Sequence, residues 1–231
     1  MHKTPHIREF SKSFLRYEKY SFIQKEVAKY LLLKTNYHDK KKILDIGCGS
    51  GVIHSLLDSC HEKFVGIDYS KQMLQLHPKA KDTELLQMDF DSLEDEFFKE
   101  FDLVFSSSSL QWSRYPSVMI EKIQKNSKNF ALSIFCDGTF STLREWLGVD
   151  TFLPSSKKII SILNKDVKYE KKIYTLDFDD AISQLRYIKK SGVSGGVKKL
   201  QVKTLRDFIK NYDKKTLEFE VLFLWFNSKT L

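Results

Sequence analysis

Cysteine, long apolar runs and internal repeats are scarce in this chain, and each scarcity excludes something. Cys48, Cys60 and Cys136 are odd in number and show neither CxxC nor Cys/His ligand spacing, which argues against a disulfide framework and a zinc site. The six histidines are scattered too, so no metal is expected. The longest apolar stretch, Val221-Leu-Phe-Leu-Trp-Phe226, is far too short for a bilayer span. The first residues lack the apolar core of a signal peptide, and the expected location is the cytoplasm. No low-complexity tract or linker divides the 231 residues, so one domain spanning 1–231 is expected.

What is present begins with charge. The formal net charge is +8, unevenly spread. Residues 1–42 hold eleven Lys/Arg against four Asp/Glu, and residues 189–215 hold nine against two. Residues 43–188 carry 17 basic and 22 acidic side chains, a net −5. Two basic segments flanking an acidic body are either solvated helix faces or a docking surface for an acidic partner.

Apolar residues at spacings of three and four from Phe10 to Leu31 predict helix over 7–33, in one piece or two. Strands are then expected at Ile43–Ile46, Phe64–Ile67, Leu85–Met88, Phe101–Phe105 and Phe130–Phe135. Helices are expected at Val52–Cys60, Ser70–Leu76 and Pro116–Lys125. This alternation implies an α/β fold with a doubly wound, mostly parallel sheet. After 136 the rhythm breaks into helical stretches at Thr139–Leu147 and Ser155–Asn164. Strand Lys171–Phe178, helix Asp179–Lys190 capped by Gly192, and strand Leu217–Phe226 follow. The expected division is an N-terminal helical segment at 1–40, a cofactor-binding half at 41–136, a helical insertion at 137–170, and C-terminal strands and helix at 171–231.

The first strand runs into Asp45-Ile-Gly47-Cys-Gly49-Ser-Gly51. Glycines at a strand-to-helix turn let a ligand approach bare backbone. The dinucleotide pattern G-x-G-x-x-G fails, because Val52 or His54 stands at the last position, and no G-x-x-x-x-G-K-[ST] is present. An acid before the glycines suits a ligand ammonium group better than a pyrophosphate.

This motif resembles the first motif of class I methyltransferases that use S-adenosylmethionine, a seven-stranded Rossmann-like fold. The resemblance implies that Asp45, Gly47, Gly49 and Gly51 bind that cofactor. It also implies that Asp68 takes both ribose hydroxyls, a task suited to a carboxylate, and that Tyr69 and Met73 line the adenine. Asp89-Phe90 resembles the pair that takes the adenine amino group and covers its ring, and Ser106 falls in the cofactor set.

The segment after strand four selects the acceptor. Ser106-Ser-Ser-Ser-Leu110-Gln111-Trp112 lacks the Pro-Pro-aromatic motif of amino-methylating DNA enzymes, and no cysteine follows a proline as cytosine-C5 methylation needs. Leu110-Gln111-Trp112 resembles instead the carboxyl O-methyltransferases, those acting on malonyl-acyl carrier protein in biotin synthesis and those acting on trans-aconitate. Phe10–Tyr17 continuing to Gln24, Asp137–Arg144 with Leu153-Pro-Ser155, and Gln184–Gly192 resemble the former group. Ser107-Ser108, where that family commonly has asparagine and alanine-like residues, and Val-Ser-Gly-Gly after Gly192 depart from it. The implied reaction is methyl transfer to the malonyl carboxylate. The alternatives are a trans-aconitate-type enzyme and, on charge alone, an RNA methyltransferase or nucleic-acid-binding protein.

A carboxylate is ionised at neutral pH, so no general base is expected. The protein need only align oxygen, methyl and sulfur and exclude water. A cation for the second carboxylate oxygen is expected from Arg144 or Arg186, since arginine binds carboxylates bidentately. Tyr17, Gln111 and Trp112 are expected to wall the pocket. The partner implied is acyl carrier protein, an acidic protein that the two basic segments would dock.

Overall fold

In a computed structural model of the chain, residues 21–58, 61–191 and 202–228 are described. Alternation builds the strands. In β1 (Lys42–Ile46), Ile43 enters the core on one face of the sheet and Leu44 the core on the other. Phe64 and Val65 do the same in β2 (Lys63–Asp68), and Leu103 and Val104 in β4 (Leu103–Ser107). With β3 (Thr83–Gln87), β5 (Phe130–Phe135), β6 (Lys168–Asp177) and β7 (Thr216–Phe226) they form one seven-stranded sheet of order β3-β2-β1-β4-β5-β7-β6. The pairs among β1 to β5 are parallel, while β7 runs antiparallel to β5 and to β6. This is the seven-stranded Rossmann-like sheet that the resemblance implied. Strand order reverses between β1 and β4, the place where such sheets bind ligands beyond their carboxyl ends.

The helices among the described residues are α1 (Phe22–Leu33), α2 (Val52–Leu56), α3 (Lys71–Leu76), α4 (Asp95–Lys99), α5 (Pro116–Asn126), α6 (Ser141–Leu147), α7 (Ser156–Ser161), α8 (Ala181–Ser191) and α9 (Val202–Asn211). The predicted 7–33 helix is described only from Phe22, and Gly192, the predicted cap, lies outside the described residues. The helix expected to reach Cys60 stops at Leu56, because Leu57 turns to extended backbone. The edge strand β6 starts earlier than expected, at Lys168 instead of Lys171; its lysines suit an edge, where charge blocks further pairing. The short α4 was not anticipated, nor was α9, although Val202, Leu205, Phe208 and Ile209 recur at helical spacing among its lysines and polar residues. Among the described residues no helix is long and apolar enough to cross a membrane.

Candidate functional site

The loop after β1 is pinned to β2 and pressed against the segment after β4. Gly47 N and Cys48 N both donate to Ile67 O, at 2.7 and 2.9 Å. Gly47 has φ +69°, and a Cβ there would stand 2.3 Å from Ser109 Cβ. Only glycine fits. Gly51 is also left-handed, at φ +83°, but its missing side chain makes room for His77 and Pro78 rather than for a ligand.

A cavity opens above this loop. Its wall includes Asp45, Gly47 and Gly49 from the loop, Asp68, Tyr69 and Met73 from β2 and α3, and Asp89 and Phe90 after β3. Eight of the ten residues expected to hold the cofactor thus come together; Gly51 and Ser106 do not line the cavity. Ser106 is fully buried, with Oγ donating to Ile46 O at 2.8 Å, and its neighbours Ser107, Ser108 and Ser109 face the cavity instead.

The three acids differ in their satisfaction. Asp68 Oδ2 accepts from Gly49 N at 2.9 Å and Oδ1 from Ser70 N at 2.7 Å. Burial still holds its carboxyl above the usual range, against the pull of those two N–H groups. Asp89 caps the turn Phe90–Ser92 through Asp91 N and pairs with Arg114 at 3.2 Å. Asp45 is only 2% exposed, and its Oδ1 has no hydrogen-bond partner among the described residues. Burial, and then the charge of Asp68, push its carboxyl up to about 8. A buried acceptor left unpaired is costly, so this oxygen fits a bound cationic donor. Cys48 lines the cavity too, but burial drives its thiol up, which rules out a resting thiolate.

The opposite wall comes from the segment after β4. Ser108 has φ +58°, rare for serine, and its Oγ is buried without a partner among the described residues. Trp112 lines the cavity and stacks on Phe152 of the connection between α6 and α7, with ring centres 5.2 Å apart. Gln111 lies outside the cavity wall; buried, it braces the turn by donating from Nε2 to Ser108 O at 2.6 Å. Asp91 joins the two walls, accepting from Ser113 Oγ at 2.6 Å and from Arg114 N at 2.9 Å.

Neither predicted carboxylate-binding arginine lines the cavity. Arg144 turns its guanidinium onto backbone, donating to Thr139 O at 3.1 Å and to Asp137 O, in the turn between β5 and α6, a helix that packs against β7. Arg186 is exposed on α8, near Asp180. Tyr17 lies outside the described residues. The cation that does line the cavity is Arg114, engaged by Asp89 and Asp91. Sequence reasoning passed over Arg114 by looking for arginines only after β5, although it stands two residues beyond Trp112. Gln24, from α1, also lines the cavity and was noticed only as part of a longer resemblance.

A family model described as a methyltransferase domain matches residues 44–129. A relative from Coxiella burnetii, named malonyl-acyl-carrier-protein O-methyltransferase 2, is 30% identical over 203 residues, covering 81% of this chain and 80% of the relative. A malonyl-acyl-carrier-protein O-methyltransferase from Anoxybacillus flavithermus is 31% identical over 145 residues, 59% of this chain and 54% of the relative. The match therefore spans about half the length of that second relative. Among solved structures, the methyltransferase in complex with the Trm112 methyltransferase activator of Haloferax volcanii superposes with TM-score 0.61 at 18% identity, over 97% of this chain and 98% of that one. That likeness speaks to fold alone.

Proposed function

Since this chain belongs to the class I S-adenosylmethionine-dependent methyltransferases, we propose that it methylates the free carboxylate of malonyl-acyl carrier protein, giving the methyl ester that starts biotin synthesis. The observation that carries this reading is the Coxiella relative, whose similarity runs over 80% of its length and so extends beyond the cofactor-binding half.

When bound, the cofactor supplies an electrophilic methyl on a sulfonium. The residues present suit it. In this reading Asp68 takes the ribose hydroxyls, Asp89 the adenine amino group, and Asp45 the ammonium, with Tyr69, Met73 and Phe90 around the adenine. Gly47 and Gly49 let the ligand approach the backbone. On the acceptor side Trp112 forms a flat wall that excludes water from the methyl's path. The acceptor carboxylate arrives already ionised, so no base is required, and alignment is the main task of the site. Ser107 and Ser108 offer hydroxyl donors to its second oxygen, while Arg114 stays with Asp89 and Asp91. Arg144 would have to leave two backbone carbonyls to reach the acceptor, and Arg186 would have to act from the exposed face of α8. The exposed Lys203, Arg206 and Lys210 on α9 are among the described residues of the two basic segments proposed to dock acyl carrier protein.

The deciding assay follows label from the cofactor methyl group into malonyl-acyl carrier protein, with free trans-aconitate and bulk tRNA in parallel. Base-labile label on the carrier protein alone is the expected result. Label on tRNA alone, or on trans-aconitate alone, overturns the acceptor assignment.

A further inference from the structure

One wall of the cavity comes from outside the strand ends. α1 packs against α2, β4 and β5, which puts it over the glycine loop and the serines after β4. Gln24, in the first turn of α1, is 7% exposed and lines the cavity. A buried helix position normally holds an apolar side chain, so an amide there needs a use. Its Nε2 makes a long hydrogen bond to Ser191 O, 3.4 Å, which orients the amide. Its Oε1 is shielded from bulk water and has no hydrogen-bond partner among the described residues.

The group that meets this oxygen must be a donor. A carboxylate accepts only, so the methyl acceptor's reacting group is excluded as the partner. The donors on the ribose and adenine have Asp68 and Asp89, at the ends of β2 and β3, away from α1. The remaining donor on the cofactor is its α-ammonium, with three N–H bonds to place. Asp45 Oδ1, at the end of β1, is a second buried acceptor of the cavity wall without a partner among the described residues; the third such atom, Ser108 Oγ, is a hydroxyl that can itself donate.

We infer that Gln24 is a cofactor-binding residue, its Oε1 accepting a hydrogen bond from the α-ammonium alongside Asp45. The inference rests on reading the cavity as an S-adenosylmethionine site. An amide adds this acceptor without adding negative charge to a cavity wall that already includes Asp45, Asp68, Asp89 and Asp91. It also ties the donor site to the end of α8 through Ser191.

The test is calorimetric and needs no turnover. Wild type, Gln24→Met and Gln24→Ala are titrated with S-adenosylhomocysteine and with 5′-methylthioadenosine, which keeps adenine, ribose and sulfur but lacks the amino-acid part. Both variants should lose roughly tenfold or more in affinity for S-adenosylhomocysteine, the range for a hydrogen bond to a charged group. Both should keep their affinity for methylthioadenosine. Equal weakening of the two ligands means a merely structural role and overturns the inference. So does unchanged S-adenosylhomocysteine affinity, including the case where only the acceptor KM rises. Failure of wild type to bind S-adenosylhomocysteine at all would instead sink the cofactor reading itself. Should the Gln24 variants not fold, Asp45→Ala provides the second measurement. Removing the ligand's amino group should still cost that variant several-fold in affinity, and no cost at all counts against Gln24.

Discussion

The two sides of the cavity are built differently. At the ends of β1, β2 and β3, each acid sits on its own strand end, and short-range contacts fix its position. Asp68 holds the N–H groups of Gly49 and Ser70, and Asp89 holds that of Asp91. Beyond β4, Trp112 leans on Phe152, forty residues later in the chain, and Asp91 ties Ser113 and Arg114 back to the other wall. A site made of strand ends is placed by the sheet, whereas one made of turns and insertions depends on side-chain packing. The donor side should therefore fail abruptly when altered, and the acceptor side should shift gradually.

Asp68→Ala is the harshest test of the donor side. On the proposed assignment it strands two ribose hydroxyls, and it also frees Gly49 N and Ser70 N, loosening the turn that shapes the loop. Each hydrogen bond to a charged group is worth ~1.5–3 kcal/mol, so affinity for S-adenosylhomocysteine should fall at least about a hundredfold. Near-normal binding in a titration would remove Asp68 from the site.

Gly47→Ala asks whether the loop is as rigid as its contacts imply. The new methyl group would overlap Ser109 Cβ at 2.3 Å on a backbone with φ +69°. Overpacking of this kind costs ~1–3 kcal/mol, to which the left-handed backbone adds about 1 kcal/mol. A lowered thermal midpoint together with weakened cofactor binding is expected. An unchanged midpoint would mean that Ser109 yields easily and that the two walls are not pressed together.

The same contrast explains what could be read from the sequence. Apolar strands, each ending in an acid at Asp68 and Asp89, are local patterns, so β1 to β5 and eight of the ten expected donor-side residues could be located without coordinates. Arg144 could not be placed, because its fate depends on Asp137 and Thr139 carbonyls whose direction follows from how α6 closes on the sheet. Gln24 stood out only as the end of a stretch resembling a family segment; that it lines the cavity follows from how α1 packs. The α9 helix was legible but passed over: Val202, Leu205, Phe208 and Ile209 recur at helical spacing, and Phe208 meets Trp146 edge-on at 5.3 Å.

A milder probe of the donor side is pH. With its carboxyl near 8, Asp45 is largely protonated in the empty site at neutral pH, and an arriving ammonium should drive the proton off. Affinity for S-adenosylhomocysteine should then rise as pH increases toward 8, by at most about tenfold per unit. Asp45→Asn should flatten that slope. The folding linkage has the opposite sign. The folded chain keeps this proton where the unfolded chain has lost it, so Asp45's contribution to the stability of the unliganded protein falls as pH climbs from 4 to 8. His54, stacked on Phe64 and lowered to about 4 chiefly by burial, acts the other way, and its contribution is lost as pH falls below its unfolded value of 6.5. Thermal midpoints of the unliganded protein across pH 4 to 9 should therefore peak between these limits, and S-adenosylhomocysteine should lift the alkaline side most.

The gentlest expected effect lies farthest from the chemistry. Phe208 on α9 and Tyr212 just after it are buried against Trp146 while Lys203, Arg206 and Lys210 stay exposed, so reversing these charges to Glu should leave the fold and cofactor affinity alone. If an acidic carrier protein docks there, KM for malonyl-acyl carrier protein should rise about three- to tenfold at low salt, the scale of rim charges that act mainly on association. The difference from wild type should shrink near 0.5 M salt, where screening shortens the reach of surface charges. A rise that persists at high salt would point to lost packing instead of steering. No rise at any salt would move the docking face elsewhere, or favour a small free acid as acceptor, since such a substrate has no need of a basic helix outside the cavity.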